Sequence, residues 1–161
     1  MMLGWLATGG LAATGWLGFW VRDGASFEIH VLLALASVLL LLFSHSWIMF
    51  YLIGTGKAIK EAVARCSLEA RFVEETKVLK NLSYPILMLA TGLAMAAFIV
   101  GGGVATKVIP AWIHQLLFWA TLLVQLRALL REGSVLERNR RLMAEVERLA
   151  ATRAGGTVEG E

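Results

Sequence analysis

The three histidines of this 161-residue chain, His30, His45 and His114, all fall in stretches almost bare of charge. Ionisable side chains are costly inside a bilayer and concentrate where they bind ligands or move protons, so their placement is the first functional signal. His30 lies three residues inside one end of an apolar segment, and His114 lies four residues inside the corresponding end of another. Two neutral imidazoles at matching depth on separate helices form a suitable axial pair for haem b, with the porphyrin edge-on between helices. Trp112, Phe118, Trp119 and the glycines Gly101, Gly102 and Gly103 stand nearby in the sequence and could wall a macrocycle. A copper ion held by His30, His114 and the thioether of Met95 is the second choice of ligand.

His45 is about 22 Å along the helix from His30, too far to share a metal. Ser44, Ser46 and Tyr51 make its surroundings more polar, and Thr91 and Gln125 are expected at comparable depth on other spans. A histidine, an amide and hydroxyls could hydrogen-bond the carbonyls of a quinone and exchange protons with it. The competing reading is structural: His45 would bond Thr91 or a backbone carbonyl and hold helices together.

Other chemistry finds no support. There is no His-x-x-Glu-His or Cys-x-x-Cys-His motif, and the single cysteine, Cys66, allows no intramolecular disulfide. Gly54-Thr55-Gly56-Lys57 lacks the spacing of a phosphate-binding loop. No carboxylate pair or intramembrane acid suggests hydrolysis or ion-driven transport. The formal charge of +3 sits in blocks flanking apolar segments, which explains it by membrane topology and not by nucleic acid.

The elements that must position these residues follow from hydropathy. The chain is 58% hydrophobic and only 17% charged, outside the usual balance of a soluble domain. Residues 27–53 carry one charged side chain, Glu28, and as a helix would be about 40 Å long, enough to cross a hydrocarbon core of about 30 Å. Spans are expected at about 2–21, 27–53, 84–105 and 110–130, with Trp5, Trp16 and Trp20 near the ends of the first. Arg22 to Ser26 reads as a turn in which Ser26 caps the second span, and Pro85 suits the first turn of the third. Ala90, Ala94, Ala97 and Gly101 form a stripe of small residues that lets another backbone approach.

Between spans two and three, residues 57–82 read as a helical hairpin turning near Cys66-Ser67, with Ser67 as an N-cap and Leu68, Phe72, Glu75, Leu79 and Leu82 as the buried stripe. After a break at Gly133-Ser134, residues 134–153 form an amphipathic helix in which Val135, Leu142 and Leu149 repeat at seven. It could pack on the hairpin or lie on lipid headgroups. Residues 154–161 read as a disordered tail.

Six basic residues in 57–80 and seven in 127–153, against Arg22 and Lys107 elsewhere, put both termini in the cytoplasm. The expected fold is an all-α membrane protein, a four-transmembrane-helix bundle with cytoplasmic helical extensions, in a membrane of bacterial inner-membrane type. The expected function is a haem b or other metal-binding subunit for electron transfer. It would work beside other membrane-complex subunits and a quinone. The rival is a non-enzymatic scaffold that self-associates through the small-residue stripe and binds a partner through its cytoplasmic helices.

Overall fold

The computed structural model describes residues 2–21 and 24–155, with side chains to residue 153. It is all-helical: α1 (Met2–Gly18), α2 (Ala25–Arg65), α3 (Arg71–Ala105) and α4 (Ala111–Gly155). The last three are long and apolar enough to cross a membrane. α1 has 17 residues, about 26 Å at the helical rise, and falls short of the other three as a spanning candidate. The expected first span, 2–21, is cut back because Phe19 and Trp20 form a turn, with their amides bonded to the Trp16 and Leu17 carbonyls at 3.3 and 2.9 Å.

Several boundaries differ from the sequence reading. Ser26 is not the N-cap of α2: Phe27 and Glu28 donate their amides to the carbonyl of Gly24, which takes the left-handed conformation (φ 75°), so Ser26 lies inside the first turn. Arg22 and Asp23, expected in that turn, lie outside the described residues, as does the tail from 156. α3 does not begin at Tyr84. It runs unbroken from Arg71, leaving Pro85 in its interior.

Nor does Ser67 cap α3. Its φ of 48° places it just past the end of α2, where Leu68 N–H donates to Val63 O at 3.0 Å, closing α2 in a Schellman motif. Lys107 (φ 60°) closes α3 the same way, with Val108 N–H bonded to Gly103 O at 3.0 Å. The expected break at Gly133-Ser134 is absent because α4 is continuous, with strong helix formers on both sides of the pair and Ser134 Oγ donating back to Arg131 O at 2.9 Å.

The chain divides into two compact units to which α2, α3 and α4 all contribute. The first comprises residues up to Trp47 with Pro85–Leu130. Ala7, Leu11, Val38, Leu41 and Ala94 form its core, and Leu40, Leu42 and Phe98 pack against it. Its outer face carries large apolar side chains such as Leu32, Leu39, Phe43, Ile99 and Leu123, as lipid contact requires.

The second unit comprises Ile48–Tyr84 and α4 from Arg131. Here α3 runs antiparallel to α4, as Arg131 bonding Leu82 O and Arg71 pairing with Glu145 fix, while α4 follows the direction of α2 through Thr55–Asn139 and Arg153–Cys66. Glu132, Val135, Asn139, Leu142 and Val146 are its buried positions on α4, a 3-4 spacing that packs on α2 and α3. On α3 the buried stripe is Phe72, Thr76, Leu79 and Ser83; Glu75 and Leu82, expected there, are only half-buried. Thr76 and Ser83 can occupy that face because each hydroxyl bonds a carbonyl of its own helix, Val73 O and Leu79 O.

Candidate functional site

All four helices of the first unit converge on His30 and His114. His30, on α2, directs Nδ1 at the Thr14 carbonyl of α1 (3.1 Å), and His114, on α4, directs Nδ1 at the Ala97 carbonyl of α3 (2.9 Å). A carbonyl only accepts, so in both rings the proton is on Nδ1 and the lone pair of the neutral imidazole is on Nε2. Metal-ligating histidines are normally held in the same way, with the nitrogen that does not bind metal donating to a carbonyl or carboxylate.

Glycines make room for both rings. A Cβ at Gly18 would stand 3.2 Å from His30 Cε1, and one at Gly101 would stand 3.1 Å from His114 Cε1. The two halves therefore repeat one device: a helix supplies a carbonyl and, four residues on, a glycine, and the next helix lays a histidine across both. The carbonyl-to-histidine separation is 16 residues in one half and 17 in the other.

The rings are 6.5 Å apart between centroids, with planes at 83°. A metal–imidazole bond is about 2.0–2.1 Å and a ring nitrogen lies about 1.1 Å from its ring centre, so imidazoles on opposite sides of one metal have centroids about 6.3 Å apart. The observed separation is close to that span, and it also falls within the range of about 4.5–7 Å at which ring pairs ordinarily pack. Met95, the candidate third ligand for copper, is 45% exposed on the outer face of α3, beside the buried Ala94. Trp112 and Trp119 are likewise exposed, whereas Phe118 is half-buried against Gly15 of α1. Among the described residues no group of three or more His, Cys, Asp or Glu is placed to hold a metal ion.

The second histidine site is of another kind. His45 Nδ1 is 2.8 Å from Thr91 Oγ1, and the Leu87 carbonyl and Gln125 side chain also reach its ring. Gln125 Nε2 donates to Thr8 Oγ1 at 3.2 Å, and Thr8 in turn donates to Gly4 O at 2.8 Å. His45, Thr91 and Gln125 are thus brought together, joined by Thr8, which sequence reasoning missed, and the cluster ties all four helices. His45 is 1% exposed and Gln125 is fully buried, so these polar groups face one another inside the bundle and not an open cleft.

No protein-family model matches the chain, and neither a curated protein nor a solved structure similar to it is found.

Proposed function

We propose that this is an integral membrane electron-transfer subunit that binds haem b between His30 and His114. One observation carries the reading: two imidazoles, each anchored through Nδ1 to a backbone carbonyl, have ring centres 6.5 Å apart, the spacing of a shared axial metal. With two protein ligands and no third His, Cys, Asp or Glu beside them among the described residues, a bare divalent ion would lack most of its coordination shell. A haem brings four nitrogen ligands of its own and needs only two from the protein. Bound there, it would supply a one-electron couple.

The residues of this chain do the rest. Thr14 O and Ala97 O fix both tautomers and make the imidazoles better donors. Gly18 and Gly101 let the rings lie close to α1 and α3. The His45–Gln125 cluster holds the four helices in register, since interhelical hydrogen bonds in hydrocarbon each add modest association energy. The basic residues of 57–80 and 127–153 favour a cytoplasmic placement of both termini. The electron would be exchanged with a redox partner, a quinone or an adjacent membrane subunit.

The test is the haem content of the detergent-purified full chain expressed in a haem-sufficient host. One haem per chain in the parent, and none in His30→Ala or His114→Ala despite unchanged helicity, is the expected result. A colourless parent protein would overturn the reading and favour the scaffold function.

A further inference from the structure

Where the three long helices leave their apolar stretches, the first charges reached at the surface are all positive. On α2 they are Lys57 and Lys60 after Ile53, with Glu61 beyond them. On α3, read back from Tyr84, they are Lys80 and Lys77, with Glu75 beyond. On α4 they are Arg127 and Arg131, and the next surface acid is Glu137, because Glu132 is 1% exposed and lies in the core. Orientation in a membrane is set by lysine and arginine and hardly at all by acids, so topology alone gives no reason to keep acids out of this layer. Attraction for an anionic headgroup does.

We infer that the α2–α3 surface at Gly56 binds the headgroup of an anionic phospholipid, at the membrane surface beside the second unit. Its residues all belong to that unit, and the inference is independent of the haem reading. Gly56 is buried, and a Cβ there would stand 2.8 Å from Lys80 Nζ, so the missing side chain lets the ammonium lie across α2. Lys80 is half-buried, yet neither it nor Lys60 pairs with a carboxylate among the described residues. Lys57 and Lys77 meet Glu61 and Glu74 at 3.8 and 2.7 Å through exposed side chains, pairs weak enough to yield to a lipid phosphate. The apolar half of the ligand is matched on the same helix. Phe50, 71% exposed, and Ile53, 48% exposed, precede Lys57 and Lys60 at spacings of 3, 4 and 3, so one outward face of α2 is apolar and then basic. That is the order of an acyl chain and its headgroup. A zwitterionic headgroup would bring its own cation among the lysines, and the like charges repel.

The full-length protein in detergent is equilibrated with mixed micelles of phosphatidylglycerol and phosphatidylcholine in equal amounts, and the lipid retained per chain is measured by mass spectrometry. Helicity is recorded for each variant. The parent is expected to retain phosphatidylglycerol in preference, and that preference should fall about fivefold in Lys60→Gln and again in Lys80→Gln, the effect of one lysine near an anionic surface. Arg65→Gln removes the same charge at the far end of α2 and should leave the preference unchanged. Equal retention of the two lipids by the parent, or an unchanged preference in both lysine variants, overturns the inference. An equal loss in Arg65→Gln also overturns it, by showing that net charge and not this surface selects the lipid. Release of the phosphatidylglycerol by an equal concentration of inorganic phosphate would assign the site to a soluble phosphate and overturn the lipid assignment.

Discussion

Gly101→Ala should separate cofactor binding from stability. The added methyl would stand 3.1 Å from Cε1 of His114. Carbon atoms prefer separations of about 3.5–4.0 Å, so the ring must retreat by about 0.4 Å. It cannot do so freely, because its Nδ1 is held 2.9 Å from Ala97 O by the same helix that gained the methyl. The substitution therefore weakens the anchor or moves Nε2 off the metal axis. Disturbing the groups that orient a metal ligand typically reduces affinity by about 10–100-fold, or about 1.4–2.7 kcal/mol.

Replacing a helical glycine by alanine also favours the helix by about 1 kcal/mol, which offsets the weakened anchor, so the ligand-free protein should be about as stable as the parent. Gly92→Ala, on the same helix with nothing within 4 Å of its new Cβ, is the matched control. Haem per chain and thermal unfolding in detergent are the two readouts. The reasoning is refuted if Gly101→Ala and Gly92→Ala bind haem equally well.

Other expectations follow from the caps, the polar cluster and the charged face of α4. Ser67→Gly and Lys107→Gly each relieve a left-handed residue and should raise stability by roughly 0.5–1 kcal/mol, read as a higher unfolding temperature; a drop in either would contradict the Schellman assignment. Gln125→Leu removes the link to Thr8 and His45 and should cost about 1 kcal/mol, within the range measured for hydrogen bonds between membrane helices; an unchanged melting curve would deny the cluster its clamping role. Glu137 is bonded by Arg140 and by Arg141, which hold its carboxyl down at about 2. Its contribution to the helix is therefore present above the ordinary value of 4.5 and lost only as pH falls through about 2, and a carboxyl carbon-13 titration with a midpoint near 4.5 would contradict this.

Hydropathy made the helices and three of the spans legible, and comparable depth singled out His30 and His114. The anchoring carbonyls of Thr14 and Ala97 were not legible, because a backbone oxygen has no sequence signature and the contacts join neighbouring helices. Only the glycines four residues later, Gly18 and Gly101, marked where a ring could lie. The buried stripe of α3 came out rotated because apolar character does not identify the core of a membrane bundle. Lipid-facing positions such as Leu32 and Ile99 are as apolar as the interior, whereas Thr8, Ser37, Ser44 and Gln125 are buried. Small and polar residues within a span were the better guide, and that rule would have found Thr8. The break expected at Gly133-Ser134 failed for another reason: a glycine costs about 1 kcal/mol in a helix, too little to stop one whose Val135, Asn139 and Leu142 are packed into the second unit.

The most direct test of the paired-imidazole site is the reduced-minus-oxidised absorption spectrum of the purified chain beside His30→Ala and His114→Ala. A sharp low-spin α band in the parent, lost or converted to a high-spin spectrum in each single variant, is the expected result. A low-spin band that survives either substitution would show that the iron takes its axial ligands elsewhere.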